Sequence, residues 1–564
     1  MEQVSKQSFE DINLGELGVN QAFLNITSYH SAKLWMYTLS EDCVRCPFTK
    51  FREIAASSQE LVKFGASRSL EWKFLDEDHG RYAFGNETIF CAIKPTNIGP
   101  RGVYNIDIHA GHCSYDVRLN PVNYNLSVLY ALLILAAVLA AVYTSNYIYR
   151  RYKRTRQSVL TESDESEKPK PTKARVRSLD VFRGVAIVVM IFVNSGGGSV
   201  WWMEHATWNG LYVADLVFPW FLWIMGVCIP ISIKSQMSRK TSKARILYTI
   251  LIRSIKLFFI GFCLNTRGGS FEEVRIMGVL QRFGISYFIV ASIHVLVYVE
   301  PKDILPEGKL KRALYDIQIL AFQWFLILCI TAMHVVITFG LIVPDCPRGY
   351  LGPGGKQDNA TNPNCIGGAT GYVDELILGP KHIYRWPTAG SVYDASAFDP
   401  EGMVGCLTTF LQVFIGLQCG VTLLVYTGWK DRVARLLIWG IVLGIIGGAL
   451  CLFSQDGGVI PINKNLWSLS FVFVTCALAY LLLTLFYVLV DVLNWWSGTP
   501  LVYAGMNAIL LYVGHSVIGS MFPWRWSIGP MNTHLVLLVE NMWHAGMWVV
   551  VSYYFYCKKV FISV

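Results

Sequence analysis

With 564 residues, 53% of them hydrophobic and only 15% charged, and a mean hydropathy of +0.40, the chain is too apolar to be a soluble globule throughout. The net charge of +9 calls for no nucleic-acid partner, because short basic loops between apolar segments account for it. Composition therefore specifies a polytopic α-helical membrane protein with a soluble portion.

Residues 1–125 alternate short apolar runs with turn-prone pieces, such as Gly102-Val-Tyr-Asn-Ile-Asp-Ile-His. They predict a small antiparallel β-sandwich, acting as a cap, a binding surface or a protease-resistant shield. Met1 to Glu10 lacks an apolar signal region, so an upstream signal peptide, missing or removed, is expected. From Leu126 onward, apolar stretches near the roughly 20 residues that span a bilayer recur. They predict about eleven transmembrane helices, at 126–149, 179–200, 210–233, 246–265, 276–299, 317–342, 403–426, 433–453, 466–490, 500–520 and 536–557. The first is followed by a linker, 150–178, whose stretch from Gln157 to Arg177 is rich in Ser, Glu, Lys and Pro and reads as disordered. Residues 179–564 then form a ten-helix domain. Its long loop 343–402, rich in Gly, Pro and Asn without clear secondary structure, suits a binding lid.

Lysine and arginine placement orients the spans. Arg150 to Arg154, Lys234 to Arg245, Lys302 to Arg312, Lys430 to Arg435 and Lys558-Lys559 fall on one side, the cytosolic one, with the C-terminus. The first 125 residues and loop 343–402 then face outward or into a lumen. Sequons at Asn25, Asn86 and Asn359 fall on that side; a fourth, at Asn125, abuts the first span. So do Cys43, Cys46, Cys91, Cys113, Cys346 and Cys365, which could form three bridges whose connectivity the sequence does not reveal. A zinc site on Cys43-x-x-Cys46 lacks a second ligand pair, so no metal is expected.

The chemistry concentrates at the mouth of the bundle. His205 lies in Asn194-Ser-Gly-Gly-Gly-Ser-Val-Trp-Trp-Met-Glu-His205-Ala-Thr-Trp-Asn-Gly210, between the second and third spans on the lumenal side. An interfacial histidine among belt tryptophans is the plain reading. Against it stands the company of Asn194, Glu204, Asn209 and Asp215, since polar residues at membrane depth are costly. Asp215 opens the third span and needs a partner. Asn463, Lys464 and Trp467 open the ninth span, and His515 lies near the lumenal end of the tenth; these form the acceptor-side candidates. Each also suits a helix start or an interhelical hydrogen bond. On the cytosolic side Asp180 and Arg183, three apart on one helix face, suit a helix-capping ion pair or a donor contact. Arg239, Lys243 and Arg253 could hold phosphates, although positive-inside bias accounts for most of them, and Asn507 on the tenth span joins the donor-side set. Group transfer across the bilayer fits: histidine can deprotonate an acceptor amine or accept an acyl group itself. Asn194 could donate to the carbonyl oxygen in the transition state. The rival is a proton-coupled transporter of an amino sugar or cofactor, with His205, Asp215 and His515 as relay; no internal duplication supports it.

Taken together, Arg177-Ser-Leu-Asp-Val-Phe-Arg-Gly, the Asn194-to-Gly210 loop, Ala-Asp215-Leu-Val-Phe-Pro-Trp-Phe, Gly349-Tyr-Leu-Gly-Pro-Gly-Gly, Pro-Ile-Asn463-Lys-Asn-Leu-Trp-Ser and Gly-Met-Asn507-Ala-Ile…Gly-His515 resemble the heparan-α-glucosaminide N-acetyltransferase family. The resemblance covers 126–564 and extends toward the N-terminal domain. It implies a lysosomal multi-pass membrane enzyme that carries acetyl from cytosolic acetyl-CoA to the terminal glucosamine of heparan sulfate in the lumen. It also implies a catalytic role for His205, with Asn194 as the matching loop asparagine, a homodimer, and cleavage between the first two spans. Two mechanisms stay open, an acetyl-histidine intermediate and direct transfer. The chain carries no clear dileucine sorting signal in the linker or short tail, so the lysosomal expectation rests on resemblance alone.

Overall fold

The computed structural model describes residues 8–562 apart from 86, 159–175, 267–269 and 302–305. The Asn86 sequon and most of the 150–178 linker lie outside the described residues. Residues 8–119 form a two-stranded ribbon, Ser8–Phe9 with Ile12–Asn13, and two stacked sheets. One runs in the order His112–Leu119, Val103–His109, Gln21–Ser28, Gln59–Gly65; the other Tyr82–Ala83, Phe48–Ile54, Leu34–Ser40, Leu70–Leu75, Ile89–Ile93. Both sheets supply the core between them, with Leu24, Ile26, Met36, Trp72, Phe74 and Tyr104 buried. Trp72 meets Phe64 edge-on at 5.5 Å.

One pairing departs from the antiparallel expectation. Val103–His109 runs parallel to Gln21–Ser28, from Val103 opposite Phe23 to Ile108 opposite Ser28. Between the two the chain passes to the second sheet, returns antiparallel as Gln59–Gly65 on the other side of Gln21–Ser28, and crosses to the second sheet again before Val103–His109. The two parallel strands are buried or half-buried along almost their whole length, as suits central strands covered on two faces. The six cysteines pair as Cys43–Cys46, Cys91–Cys113 and Cys346–Cys365. The second of these joins the two sheets.

Nine helices among the described residues are long and apolar enough to cross a membrane. The other two expected spans are also helical but fall short. The second, Arg177–Asn194, carries Arg177, Asp180 and Arg183 within 18 residues. The tenth is two pieces, Leu501–Met506 and Ala508–Ile518, parted at the buried Asn507. Second and tenth spans touch backbone to backbone: a Cβ on Gly184 would lie 1.9 Å from the Leu501 carbonyl oxygen, and one on Gly505 1.8 Å from that of Asp180. Residues 195–200, expected to continue the second span, instead turn sharply through Gly196, Gly197 and Gly198, all at positive φ. A Cβ on Gly198 would also strike Leu538 at 2.4 Å.

Met403–Val425 is the bundle's centre and packs along Val213–Ser238; the first span, Tyr124–Ser158, lies at the rim. Loop 343–402 is more ordered than its composition predicted, with helices Gln357–Ala360, Gly368–Leu378 and Thr388–Tyr393. Long-range contacts supply what propensity lacks. Arg275 pairs with Asp399 and Glu401, Asp374 caps the Val404 amide at 3.0 Å, and Tyr393 Oη donates to the Asp42 carbonyl at 3.0 Å. The loop is wedged between the sheets and the bundle.

Candidate active site

Asp215 is the third residue of the helix Val213–Ser238 and is fully buried. Its Oδ2 accepts from the amides of Tyr212 (3.2 Å) and Ala206 (3.1 Å), so the carboxylate closes a capping box at a helix N-terminus, where negative charge is favoured. Its Oδ1 lies 2.7 Å from His205 Nδ1. A carboxylate only accepts, so Nδ1 carries the hydrogen and the lone pair is left on Nε2. Lys464 Nζ completes the group, 3.4 Å from Asp215 Oδ1, 2.9 Å from His205 Nδ1 and 3.4 Å from Nε2. The His205 side chain is 38% exposed, Asp215 1%. The ring is reachable while its anchor is sealed.

Asn463 frames this group. It forms an isolated bridge with Asn209, donates to the Asn209 side-chain oxygen at 3.0 Å and accepts from the Leu466 amide at 2.8 Å. The His205 loop is thereby stapled to the turn that carries Lys464. Trp467 is buried: its Nε1 donates to Gln412 at 2.9 Å, Phe218 meets it edge-on at 5.2 Å, and Arg282 stacks at 4.8 Å. It supports the site from within the core.

Asn194 and His515 form a separate group. His515 Nδ1 donates to the Leu511 carbonyl at 2.9 Å, so Nε2 accepts from Asn194 Nδ2 at 3.1 Å. Beside them Ser195 Oγ lies 3.0 Å from His544 Nδ1, and Asn541 donates to the Ser195 carbonyl and accepts from the Gly198 amide.

Below both groups lies a cavity of about 260 Å³, bordered by Met190, Phe218, Tyr512, Arg183, Arg253 and Ile562 among others. Asp215 lies one helical turn beyond Phe218 toward the sheet-bearing end. Asn194 and His515 stand in the same relation to Met190 and Tyr512, a rise of roughly 5 Å each. The two polar groups thus crown the cavity. Toward the opposite end, Arg183 contacts Asp180 (3.4 Å), the Gly505 carbonyl (3.4 Å) and Cys228 Sγ (3.2 Å), and Arg253 stacks over Tyr287 at 4.8 Å. Two guanidiniums in a largely apolar cavity suit a phosphate-bearing molecule with a long apolar arm.

Other donor-side candidates are placed elsewhere. Arg239 is exposed at a helix end, and Lys243 Nζ donates to the Leu296 carbonyl at 3.2 Å; neither borders the cavity. Asn507 donates to the Val560 carbonyl at 3.3 Å and accepts from the Ile562 amide at 3.0 Å, pinning the C-terminal segment at the cavity wall. Of the sequons, Asn25 is half-buried and hydrogen-bonded to Asn105 and Gln59, while Asn359 is exposed. Among the described residues no group of three or more His, Cys, Asp or Glu is placed to hold a metal ion.

The sheet domain contributes what the sequence did not single out. The Arg68 guanidinium lies 4.0 Å over the Trp201 ring, binds Asp42 at 2.9 Å and donates to Tyr212 Oη at 3.3 Å. Burial pushes the Asp42 carboxyl up even against that cation. Asn20 Nδ2 donates to the Ser199 carbonyl at 3.0 Å. Both ends of the His205 loop are therefore held from a domain more than a hundred residues away, and no local pattern signals such a contact.

Comparison with known proteins agrees with this arrangement. Residues 175–273 match a family described only as a domain of unknown function, DUF5009. The chain is 37% identical to heparan-alpha-glucosaminide N-acetyltransferase of Homo sapiens, over 97% of this chain and 88% of that protein. It is 36% identical to the protein of that name from Mus musculus, over 97% and 89%. An apolar bundle, a two-sheet domain and a loop histidine braced by a buried carboxylate are thus found in a chain that belongs to the heparan-alpha-glucosaminide N-acetyltransferase family.

Proposed function

We propose that this protein is a transmembrane N-acetyltransferase that moves acetyl from cytosolic acetyl-CoA to the terminal glucosamine of heparan sulfate in the lysosomal lumen. The names of the relatives support the acetyl transfer and the acceptor. The observation that carries the reading is the cavity, with Arg183 and Arg253 along it and Asp215, the partner of a solvent-reachable histidine, one helical turn beyond the lining residue Phe218. With the basic loops in the cytosol, acetyl-CoA enters from below and its phosphates meet the guanidiniums. Its thioester reaches the crown, where the acceptor amine arrives from the sheet-bearing side.

Asp215 holds the His205 tautomer so that Nε2 takes the amine proton, or takes the acetyl group first. Asn194 and His515 close the cavity top beside the reacting centre, and Asn463 and Trp467 hold the turn that presents Lys464. Homodimer formation and residence in the lysosomal membrane belong to the same proposal.

The test uses sealed vesicles with the sheet domain inside, loaded with a glucosamine-terminated acceptor and supplied with labelled acetyl-CoA outside. Label is expected on the enclosed acceptor, and His205→Ala is expected to remove it at unchanged expression. Transfer that appears only after detergent opening would overturn the across-membrane route, and full activity in the variant would overturn the histidine's role.

A further inference from the structure

Lys464 stands closer to the reacting atoms than an acceptor contact needs to. Its Nζ lies along the ring edge of His205, 2.9 Å from Nδ1 and 3.4 Å from Nε2, held there by Asp215 Oδ1 at 3.4 Å, and its side chain is only 16% exposed. The backbone around it is rigid. Asn463 is bridged to Asn209, and the Lys464 carbonyl accepts from the Trp467 amide at 3.1 Å. Asn194, whose amide would be the natural donor to a carbonyl oxygen, already gives a hydrogen to His515 Nε2. An acetyl carbon brought against Nε2 would have its oxygen within reach of Nζ, which is the place for a preorganised donor.

We propose that Lys464 is a catalytic residue whose ammonium donates to the acetyl oxygen as negative charge gathers there; this rests on the acetyltransferase reading above. The electron pair of the attacking nitrogen forms the new bond to the carbonyl carbon, and the C=O π pair moves to oxygen beside the ammonium. When that pair returns, the C–S bond breaks and its electrons leave on the coenzyme sulfur. The proton lost by the amine passes to Nε2 and from there to the departing sulfur, so the lysine ends as it began. The same cation repels a protonated amine at this point, which favours the neutral form that can attack.

The experiment compares the full-length wild type, Lys464→Met and Lys464→Arg in detergent, with acetyl-CoA and a glucosamine-terminated acceptor. Lys464→Met is expected to lose about 100- to 1000-fold in kcat with acceptor KM changed by no more than about threefold. Lys464→Arg is expected to retain a measurable part of the rate, and added ethylammonium to restore saturably a part of the Lys464→Met rate. An acceptor KM that rises at unchanged kcat would overturn the proposal in favour of a plain binding contact. Equal inactivity of both variants with a lowered unfolding temperature and no rescue by amine would overturn it in favour of a structural role. A wild-type chain that transfers no acetyl would overturn the activity and the lysine's part together, whereas an active wild type with an unaffected Lys464→Met overturns only the latter.

Discussion

The two polar groups that crown the cavity are built on different terms. Around His205 the partners are ionic and the ring opens to solvent: a buried carboxylate on Nδ1, and an ammonium 2.9 Å from Nδ1 and 3.4 Å from Nε2. Around His515 the ring is buried and its partners are uncharged, the Leu511 carbonyl on one nitrogen and the side-chain amide of the exposed Asn194 on the other. Both contain histidine, both sit at the end of the bundle that meets the sheets, and both come from spans that border the same cavity. What separates them is access. A histidine whose free nitrogen is already occupied and buried supports the fold; one whose free nitrogen faces a reachable space can carry out chemistry.

Substitutions can break or sharpen that contrast. The largest effect is expected from Asp215→Asn, which keeps the shape but removes the charge that orients His205. Acetyl transfer should fall by about 1000- to 10000-fold with acceptor KM little changed, measured by label transfer from acetyl-CoA. A loss under tenfold would show that His205 holds its tautomer without the carboxylate.

Next comes Asn194→Ala, which leaves His515 Nε2 unpaired in a buried place. Unfolding should become easier by about 1–3 kcal/mol, with activity falling in parallel. If kcat collapses while the unfolding temperature stays, Asn194 touches the reacting group after all, and the group around His515 is not merely supportive.

Arg68→Ala tests whether the sheet domain reaches the chemistry. It removes the clamp on Trp201 and Tyr212, whose amide in turn binds Asp215. A drop of about tenfold in kcat is expected from a loosened loop, read in steady-state kinetics. An unchanged rate would confine the sheets to a covering role.

The smallest effect on acetyl transfer is expected from a group outside both clusters, whose signature is the pH dependence of stability. Burial pushes the Asp374 carboxyl from its usual 3.8 up to about 7. The folded protein therefore holds that proton where the unfolded chain has released it, between pH 4 and 7. Stability from this residue is complete below about pH 4 and declines as pH rises to about 7, by about 4 kcal/mol at most. Wild type should unfold at a higher temperature at pH 5 than at pH 7.5, and Asp374→Asn should flatten that difference. Identical pH profiles would remove Asp374 as the source.

Much of this was legible beforehand, for definite reasons. Spans announce themselves because a lipid-facing helix cannot afford a bare charge, so length and composition locate them. His205, Asp215 and Lys464 were each singled out as polar residues at membrane depth, and the structure brings all three within hydrogen-bond reach. The six cysteines were named but not their pairing, because pairing depends on which turns and sheets come together. Order in loop 343–402 was invisible, since its stability comes from Arg275, from the sheets and from the cap on Val404 rather than from local propensity. Trp467 looked like a site residue because it opens a helix at the membrane boundary; its burial against Gln412 and Arg282 is a matter of packing.

Local chemistry along the chain determined that this is a many-span membrane protein with an N-terminal sheet domain and a histidine loop between two spans, because hydrophobicity and charge act residue by residue. Only the folded bundle decided which cations meet that histidine, which amides are already occupied, and that Arg68 of the sheet domain braces the loop. Those are contacts between distant segments, selected by how helices and sheets pack, and no short stretch of sequence contains them.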